Sequence, residues 1–143
     1  MLESQTIYFE DLRAGMRETY RKQVTAADVA AFADISGDRN PIHLDEAYAA
    51  TTPFGGCIAH GMFTASFVSA AIATRLPGRG AIYIGQSLRF LAPVRLGDIV
   101  DTSIEIVELI ERGRRCKLRC ECRVGDKLVL DGEAEVKALA RPA

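Results

Sequence analysis

The chain has 143 residues, the usual size of one domain, and we expect residues 1–143 to fold as a single domain. Its 18 basic and 19 acidic residues nearly cancel, so it lacks the basic balance that is typical of nucleic-acid-binding proteins. Residues 1–10 contain no apolar core of a secretory signal, and the least polar stretch, residues 57–73, is too polar to cross a membrane comfortably. We therefore predict a cytoplasmic protein with no nucleic-acid partner and no membrane partner.

The first part of the chain predicts a strand and a capped helix. A short strand over residues 20–24 precedes Thr25-Ala-Ala-Asp28, which has the form of a capping box at a helix start. Ser36-Gly37 ends this helix, and a loop with a short helix is expected over residues 38–48. Within this loop, the proline of Asn40-Pro41 pushes the preceding residue towards an extended conformation.

A second helix is predicted from about His60 to Leu76, after a turn at Gly55-Gly56 and before a stop at Pro77-Gly78. The segment is rich in Ala, Ser and Thr and leaves almost no polar face. A helix that is apolar all round is a buried helix, so we expect protein to surround it on every side.

Four strands are predicted after this helix, because turn residues recur between stretches in which apolar and polar residues alternate. The first covers residues 81–94 and is expected to bend near Gly85. Turns at Gly97-Asp98, Gly113 and Gly125-Asp126 separate it from the other three strands.

Three of the four cysteines lie in the third of these strands. Cys116, Cys120 and Cys122 share one face with Leu118 and Val124, whereas charged residues occupy the other face. This alternation indicates a half-buried strand whose reduced thiols pack in the core. A zinc site is the alternative, but the cysteines have no CxxC pair and no nearby histidine. We predict no bound metal.

Helices followed by an antiparallel series of strands indicate an α+β fold. A single curved sheet wrapped around one buried helix is the hot-dog fold, and this is the architecture that we predict. The edge strands of a sheet promote association unless another strand pairs with them. We therefore expect a homodimer in which the sheets of two copies join.

His43 and His60 are the two histidines of the chain. His43 lies five residues after Asp38, and a free histidine titrates near neutral pH, as a general acid or base must. The corner at Asn40-Pro41 could fold Asp38 and His43 back towards one point. The spacing alone is a weak signal, since Asp38 also suits a turn that ends a helix and His43 also suits a hydrogen-bonded loop.

Gly61 opens the second helix, whose first N–H groups and dipole would stabilise an oxyanion. Glycine there lets a ligand approach the backbone closely, and tight packing is the alternative explanation. We interpret His60 as a helix cap or core residue and not as a catalyst. Gly55-Gly56 lacks the context of a phosphate loop, and Ser66 and Ser69 lack the GxSxG elbow of serine hydrolases.

Three motifs resemble the MaoC-like hydratase family. They are Ser-Gly-Asp-Arg-Asn-Pro-Ile-His-Leu-Asp at residues 36–45, Tyr-Ala-Ala-Thr-Thr-Pro-Phe at residues 48–54 and Ile-Ala-His-Gly-Met at residues 58–62. Residues 85–94 and Gly97-Asp98 match the same family, so the likeness runs from about Phe9 to Lys137. Within the family, the chain is most similar to the (R)-specific enoyl-CoA hydratases.

The resemblance implies a hot-dog homodimer that adds water in the syn sense to a trans-2-enoyl-CoA and forms the (R)-3-hydroxyacyl-CoA. It assigns the catalytic roles to Asp38 and His43, which hold one water and deliver its oxygen to Cβ and a proton to Cα. Coenzyme A is then part of the substrate, and no separate cofactor is implied. Three further site residues are implied: Gly61 as an oxyanion N–H donor, Ser69 as an anchoring serine with Ser66 as the poorer alternative, and Asn40 as a residue that shapes the loop or the water site.

Two other functions fit the same residues. A dehydratase of acyl-carrier-protein thioesters would run the reaction in reverse and would favour a basic rim, with Arg39, Arg75, Arg79 and Arg89 as candidates. A hot-dog protein that only binds thioesters, or that hydrolyses them, is the third function, but the complete set of acid, amide and histidine in the first motif argues against a degenerate binder. Cys57 stands where relatives often have Arg or Pro, which puts the loop near the thioester in question.

Overall fold

The computed structural model describes residues 4–143, and a five-stranded antiparallel sheet forms most of the fold. The strand order across the sheet is β1-β3-β4-β5-β2, so β1 and β2 are the two edges. The predicted antiparallel sheet, and with it the α+β class, is confirmed. The strands are β1 (Arg17–Gln23), β2 (Ile82–Phe90), β3 (Ile99–Ile110), β4 (Arg115–Val124) and β5 (Lys127–Lys137).

The predicted capping box is present at the start of the first α-helix. The Asp28 N–H donates to the Thr25 hydroxyl at 3.1 Å, and the Thr25 N–H donates to the Asp28 carboxylate at 3.2 Å. Gly37 ends this helix with a φ of 81°, a conformation that glycine adopts without strain.

No helix in residues 4–143 is long and apolar enough to span a membrane. The helices are α1 (Ala26–Ser36), α2 (Pro41–Leu44), α3 (Glu46–Ala50) and α4 (Gly61–Thr74), with a short 3-10 helix at Phe9–Asp11.

One face of the sheet packs on α4, which contacts β1, β3 and β4. This arrangement of a sheet around one central helix is the predicted hot-dog fold. The inner face of β4 is fully buried, because alternate residues of a strand point to opposite sides of the sheet. Its three cysteines are unpaired and lie in the core, as predicted: Cys116, Cys120 and Cys122.

The prediction that α4 is buried on every side is wrong for the single chain. Met62 is 57% exposed, and Ser66, Ser69 and Ala73 continue this exposed stripe along the same side of the helix. The edge strand β2 is also mostly exposed. Small residues and Met suit both a core and an exposed apolar face, so the sequence pattern did not distinguish the two.

The first strand after α4 is shorter than predicted. β2 ends at Phe90, four residues before the predicted end at Val94. Pro93 has no N–H to donate to a sheet, and the Val94 carbonyl instead accepts the Ala59 N–H at 2.7 Å. This contact ties the end of the predicted strand to the segment that precedes α4. A shift of register between Tyr83 and Gly85 confirms the predicted bend.

Candidate active site

A cavity of about 490 Å³ opens at the N-terminal end of α4. The loop after α1, the segment before α4, the residues that follow β2 and the first part of β5 all contribute to its wall. It brings together the predicted acid/base residues and the predicted oxyanion glycine: Asp38, His43 and Gly61.

Asp38 follows α1 directly, and hydrogen bonds hold its backbone on both sides. Its N–H donates to the Ser36 hydroxyl at 3.0 Å, and its carbonyl lies 2.8 Å from Nε2 of His60. The carboxylate accepts the Asn40 N–H at 3.3 Å and is otherwise exposed to the cavity. The local structure thus fixes the main chain of Asp38 and leaves its carboxylate accessible.

His43 lies on α2, which begins with proline at its first position and with Asn40 as its cap. Its Nδ1 lies 2.7 Å from the carbonyl oxygen of Ile58. A carbonyl oxygen can only accept, so Nδ1 carries the hydrogen and, in the neutral ring, Nε2 carries the lone pair. The Ile58 carbonyl therefore selects the tautomer in which Nε2 can accept a proton.

His60 contacts both members of this pair. It is 2% exposed, its ring stacks on that of His43 with 3.8 Å between the centroids, and its Nε2 is the partner of the Asp38 carbonyl. His60 occupies the N-cap position of α4 and is buried, so it is both a cap and a core residue, although its side chain makes no cap hydrogen bond. One feature of the sequence pointed to His60: it is one of two histidines in the chain, and it directly precedes Gly61.

One carboxylate oxygen of Asp38 and one ring nitrogen each of His43 and His60 lie within 4.8 Å of one another. Two groups at such a separation can hold a single water between them, because each hydrogen bond spans about 2.8 Å. The three donor types could also ligate a divalent metal ion. Acid/base chemistry does not require one, and the absence of a metal stays a prediction.

Gly61 is the first residue of α4 and lines the cavity. The first N–H groups of a helix have no partner within the helix, so this end can donate hydrogen bonds to a ligand. A Cβ at this position would lie 2.7 Å from two carbons of the Phe90 ring. A larger residue at this position would therefore force the Phe90 ring to move, in addition to taking up space beside a ligand.

Asn40 and the two predicted serines do not line the cavity. The Asn40 side chain accepts the Ile42 N–H at 3.2 Å, so it shapes the loop by capping α2. Ser66 and Ser69 lie on the exposed stripe of α4, where that helix and β2 line a second concavity of about 460 Å³. The structure does not bring Ser69 to the acid/base pair within one chain.

Comparison with known proteins identifies the family. Residues 11–124 match the family model described as "MaoC like domain". The chain belongs to the MaoC-like family. The three motifs that carry the resemblance in the sequence thus identified the family correctly.

Relatives of this MaoC-like protein are hydro-lyases. The chain is 57% identical to a 3-hydroxybutyryl-CoA dehydratase of Methylorubrum extorquens over 94% of this chain and 86% of that protein. It is 46% identical to an (R)-specific enoyl-CoA hydratase of Rhodospirillum rubrum, over 94% and 93%. The solved structure of R-hydratase PhaJ1 from Pseudomonas aeruginosa matches with a TM-score of 0.92 and 45% identity, over 96% and 89%. The names of these relatives agree with the predicted enoyl-CoA hydratase activity.

Two residues of this MaoC-like protein lie in positions relative to the cavity that its sequence did not indicate. Cys57, the departure from the family pattern, lies outside the cavity wall, and its N–H donates to Glu46 at 3.3 Å. Burial and the Glu46 carboxylate raise the pKa of the Cys57 thiol to about 11. Thr64 lines the cavity and is buried, but a threonine in an apolar helix gave no sequence signal for that position.

Proposed function

We propose that this protein adds water to trans-2-enoyl-CoA thioesters and forms (R)-3-hydroxyacyl-CoA, with Asp38 and His43 as its acid/base pair. The observation that carries this proposal is the convergence of an accessible carboxylate and a histidine of defined tautomer on one cavity at the start of α4. The names of the relatives given above support the reaction and the thioester substrate.

The proposed mechanism passes one proton of a water molecule through this pair in two transfers. Asp38 and Nε2 of His43 hold one water, and its oxygen bonds to C3 of the enoyl group as its proton passes to the pair. The C2=C3 electrons move towards the thioester carbonyl, and C2 then takes a proton back from the pair. Because oxygen and proton come from the same side, the addition is syn.

The negative charge that develops on the thioester oxygen requires a donor. We assign this role to the N–H of Gly61, where the dipole of α4 adds to the hydrogen bond. General acid/base catalysis and this oxyanion contact account for every bond change, so the proposal includes no metal and no cofactor beyond the coenzyme A of the substrate.

The acyl group is assigned to the apolar part of the cavity wall. The name of the Methylorubrum relative supports a short acyl chain, and trans-2-butenoyl-CoA is the first substrate to test. Parallel assays with the carrier-protein thioester would show which carrier the protein prefers. The apolar residues of the wall include Phe54, Leu91, Val129 and Leu130.

We also propose that residues 1–143 act as one domain and that a second copy covers the exposed stripe of α4 together with β2. Edge strand β2 has free hydrogen-bonding groups along one side, and both of its faces expose apolar side chains. A second copy would pair β2 with β2 and cover both stripes, which contain Ser66 and Ser69.

The dimer is tested by the substitution of one exposed isoleucine on this surface. Ile84→Asp places a charge on β2, where Ile84 is 50% exposed, and is expected to convert the dimer to a monomer in light scattering after gel filtration. Ile35→Asp is the matched control, since Ile35 is 88% exposed on α1. A monomeric wild type, or a dimer that survives Ile84→Asp, would contradict the proposed interface.

We place the reaction in the cytoplasm. All four cysteines are unpaired, which is typical of proteins in a reducing compartment. The location of a tagged copy after cell fractionation tests this assignment, and recovery in an oxidising compartment would contradict it.

The acid/base assignment is tested with Asp38→Asn, which retains the shape of the side chain, and His43→Gln, which replaces the ring with an amide of similar reach. Each is expected to lower kcat for butenoyl-CoA hydration by roughly 10²- to 10⁴-fold, the range for a lost general acid or base. Loss of the enoyl-thioester absorbance gives the rate, and chiral analysis gives the product configuration.

The matched control for this experiment is Asp126→Asn, which changes an aspartate in the turn between β4 and β5. It is expected to retain wild-type kcat. Melting temperatures separate loss of catalysis from loss of folding. Near-normal rates in both site variants, or an (S)-configured product, would disprove the assignment.

A further inference from the structure

His60 is a buried polar residue that the mechanism above does not use. We infer that His60 is a positioning residue: it joins the main chain of Asp38 to the ring of His43 and so sets the relative placement of the acid/base pair. This inference rests on the proposed function of that pair. In this scheme His60 neither holds the water nor transfers a proton, although its ring lines the same cavity; it acts through its two neighbours.

The contact with Asp38 is a hydrogen bond between residues that are 22 positions apart. Nε2 of His60 lies 2.8 Å from the Asp38 carbonyl oxygen, which can only accept, so Nε2 carries the hydrogen. The other hydrogen bonds of Asp38 are local, to Ser36 and Asn40 within the same loop. Of these hydrogen bonds of Asp38, the one from His60 is therefore the bond that anchors the loop after α1 to the N-terminal end of α4.

The contact with His43 is a stack of two imidazole rings. Their planes are inclined by 26°, with 3.8 Å between the centroids. The Ile58 carbonyl holds one edge of the His43 ring, and the face of His60 limits its tilt. Phe32 on α1 lies 4.8 Å from the His60 ring and restricts movement of His60 itself.

Small shifts in such a pair have large effects on rate. Displacement of a catalytic group by about 1 Å can lower the rate by roughly 10²-fold, because proton transfer depends on alignment. The carboxylate of Asp38 is exposed and the His43 ring lies on a helix of four residues, so neither is fixed by its own element alone. A buried neighbour that contacts both can supply the missing constraint.

The first test measures the tautomers and does not depend on turnover. Long-range ¹H–¹⁵N spectra of the full-length protein, recorded at a pH where the rings are neutral, should show tautomers of opposite type, Nδ1–H for His43 and Nε2–H for His60. The His60→Gln spectrum assigns the signals, because the chain has two histidines. An Nδ1–H tautomer for His60 would overturn the inference even if the protein proved to have no hydratase activity.

The second test uses a pair of variants that differ in reach. The amide nitrogen of His60→Gln takes the place of Nε2 and can still donate to Asp38, whereas the shorter side chain of His60→Asn cannot reach it. Both variants lose the stack on His43. We expect His60→Asn to lower kcat for butenoyl-CoA at least tenfold with KM within about twofold of wild type, and His60→Gln to recover most of that loss.

The control for stability is Val68→Ala, two turns further along the same side of α4. Val68 is buried but does not line the cavity, so this change is expected to lower the melting temperature without lowering kcat. Equal kcat for the Gln and Asn variants, or a loss that appears in KM alone, would overturn the inference. An inactive wild-type protein would instead refute the proposed function and leave the tautomer test decisive.

Discussion

His60 at the N-terminal end of α4 and Leu118 in the middle of β4 are both buried, but different interactions surround them. In β4, Leu118 lies between Ile106 of β3 and Ala134 of β5, and all three side chains are apolar and buried. At the start of α4, the buried contacts are polar, and each of the two histidine rings lies against a specific carbonyl oxygen. A core is specified mainly by volume and a polar cluster by individual partners, so the two regions should respond differently to substitution.

The largest effect on stability is expected in β4. Leu118→Ala leaves a cavity under a fully buried side chain and should lower the free energy of unfolding by about 2–5 kcal/mol. The folded fraction should retain wild-type kcat, because β4 does not reach the cavity. Urea denaturation and initial rates give the two quantities.

The control for this substitution lies on the opposite face of the same strand. Arg119→Ala removes an exposed side chain and is expected to change stability by less than about 0.5 kcal/mol. A similar loss in both variants would mean that the sheet does not bury the face that the structure assigns to the core.

At the start of α4, a single methyl group should affect catalysis more than stability. Gly61→Ala brings a Cβ to within 2.7 Å of the Phe90 ring and blocks the approach of a thioester to the helix end. We expect kcat to fall by roughly tenfold or more, the scale of a weakened oxyanion contact. Steady-state kinetics and melting temperature measure the two effects.

Phe90→Ala distinguishes the two reasons for glycine at this position. The single variant Phe90→Ala gives the reference value of kcat. In the double variant with Gly61→Ala, the ring that the new methyl group would contact is absent. The double variant should remain impaired, because the methyl group still lies between the substrate and the N–H. Full recovery to the Phe90→Ala rate would show that glycine is needed for packing alone.

A smaller effect is expected at the start of α1. Thr25→Ala removes the hydroxyl that accepts the Asp28 N–H and should cost about 1 kcal/mol, or a few degrees in melting temperature. Activity should not change, since the cap does not contact the cavity. A Thr25→Ser variant retains the hydroxyl and should restore the stability.

The contribution of this cap also depends on pH. Burial raises the pKa of the Asp28 carboxyl, but hydrogen bonds with Thr25 and the ion pair with Lys22 outweigh it, and the net pKa is lowered. Because the pKa is lower in the folded state, the ionised carboxylate stabilises the protein at pH values above the ordinary pKa of the group. This stabilisation is lost as the pH falls through the pKa of the folded state. The difference between wild type and Asp28→Asn should therefore shrink in acid; a constant difference would contradict the shift.

The smallest effect is expected from thiol reagents. Burial raises the pKa of Cys116, Cys120 and Cys122 to about 11, so fewer than about one in a thousand of these thiols is ionised at pH 7.5. Iodoacetamide should leave the folded protein unlabelled and fully active, and mass spectrometry should show labelling only after denaturation. Rapid labelling of the native protein at these three cysteines would indicate that β4 opens.

Part of the candidate site was predictable from the sequence. The sequence predicts a site that contains the motif of Asp38 and His43 and the glycine that starts α4. The structure places these residues in one cavity. The placement of Ser69 was not predictable, because an exposed stripe of small residues and a buried one have the same composition. Asn40 proved to be a helix cap, a role that its position before proline suggested only in part.

What the sequence by itself determined is the local structure. Capping residues, turn glycines and alternating strands act over a few positions, so α1, the bend at Gly85 and the inner face of β4 could be predicted with their order along the chain. Tertiary structure alone decided which side of α4 stays exposed and which carbonyl each histidine contacts. Those contacts join residues 15 and 22 positions apart, and no local pattern encodes them, because they form only when the loop after α1, α2 and the segment before α4 pack together.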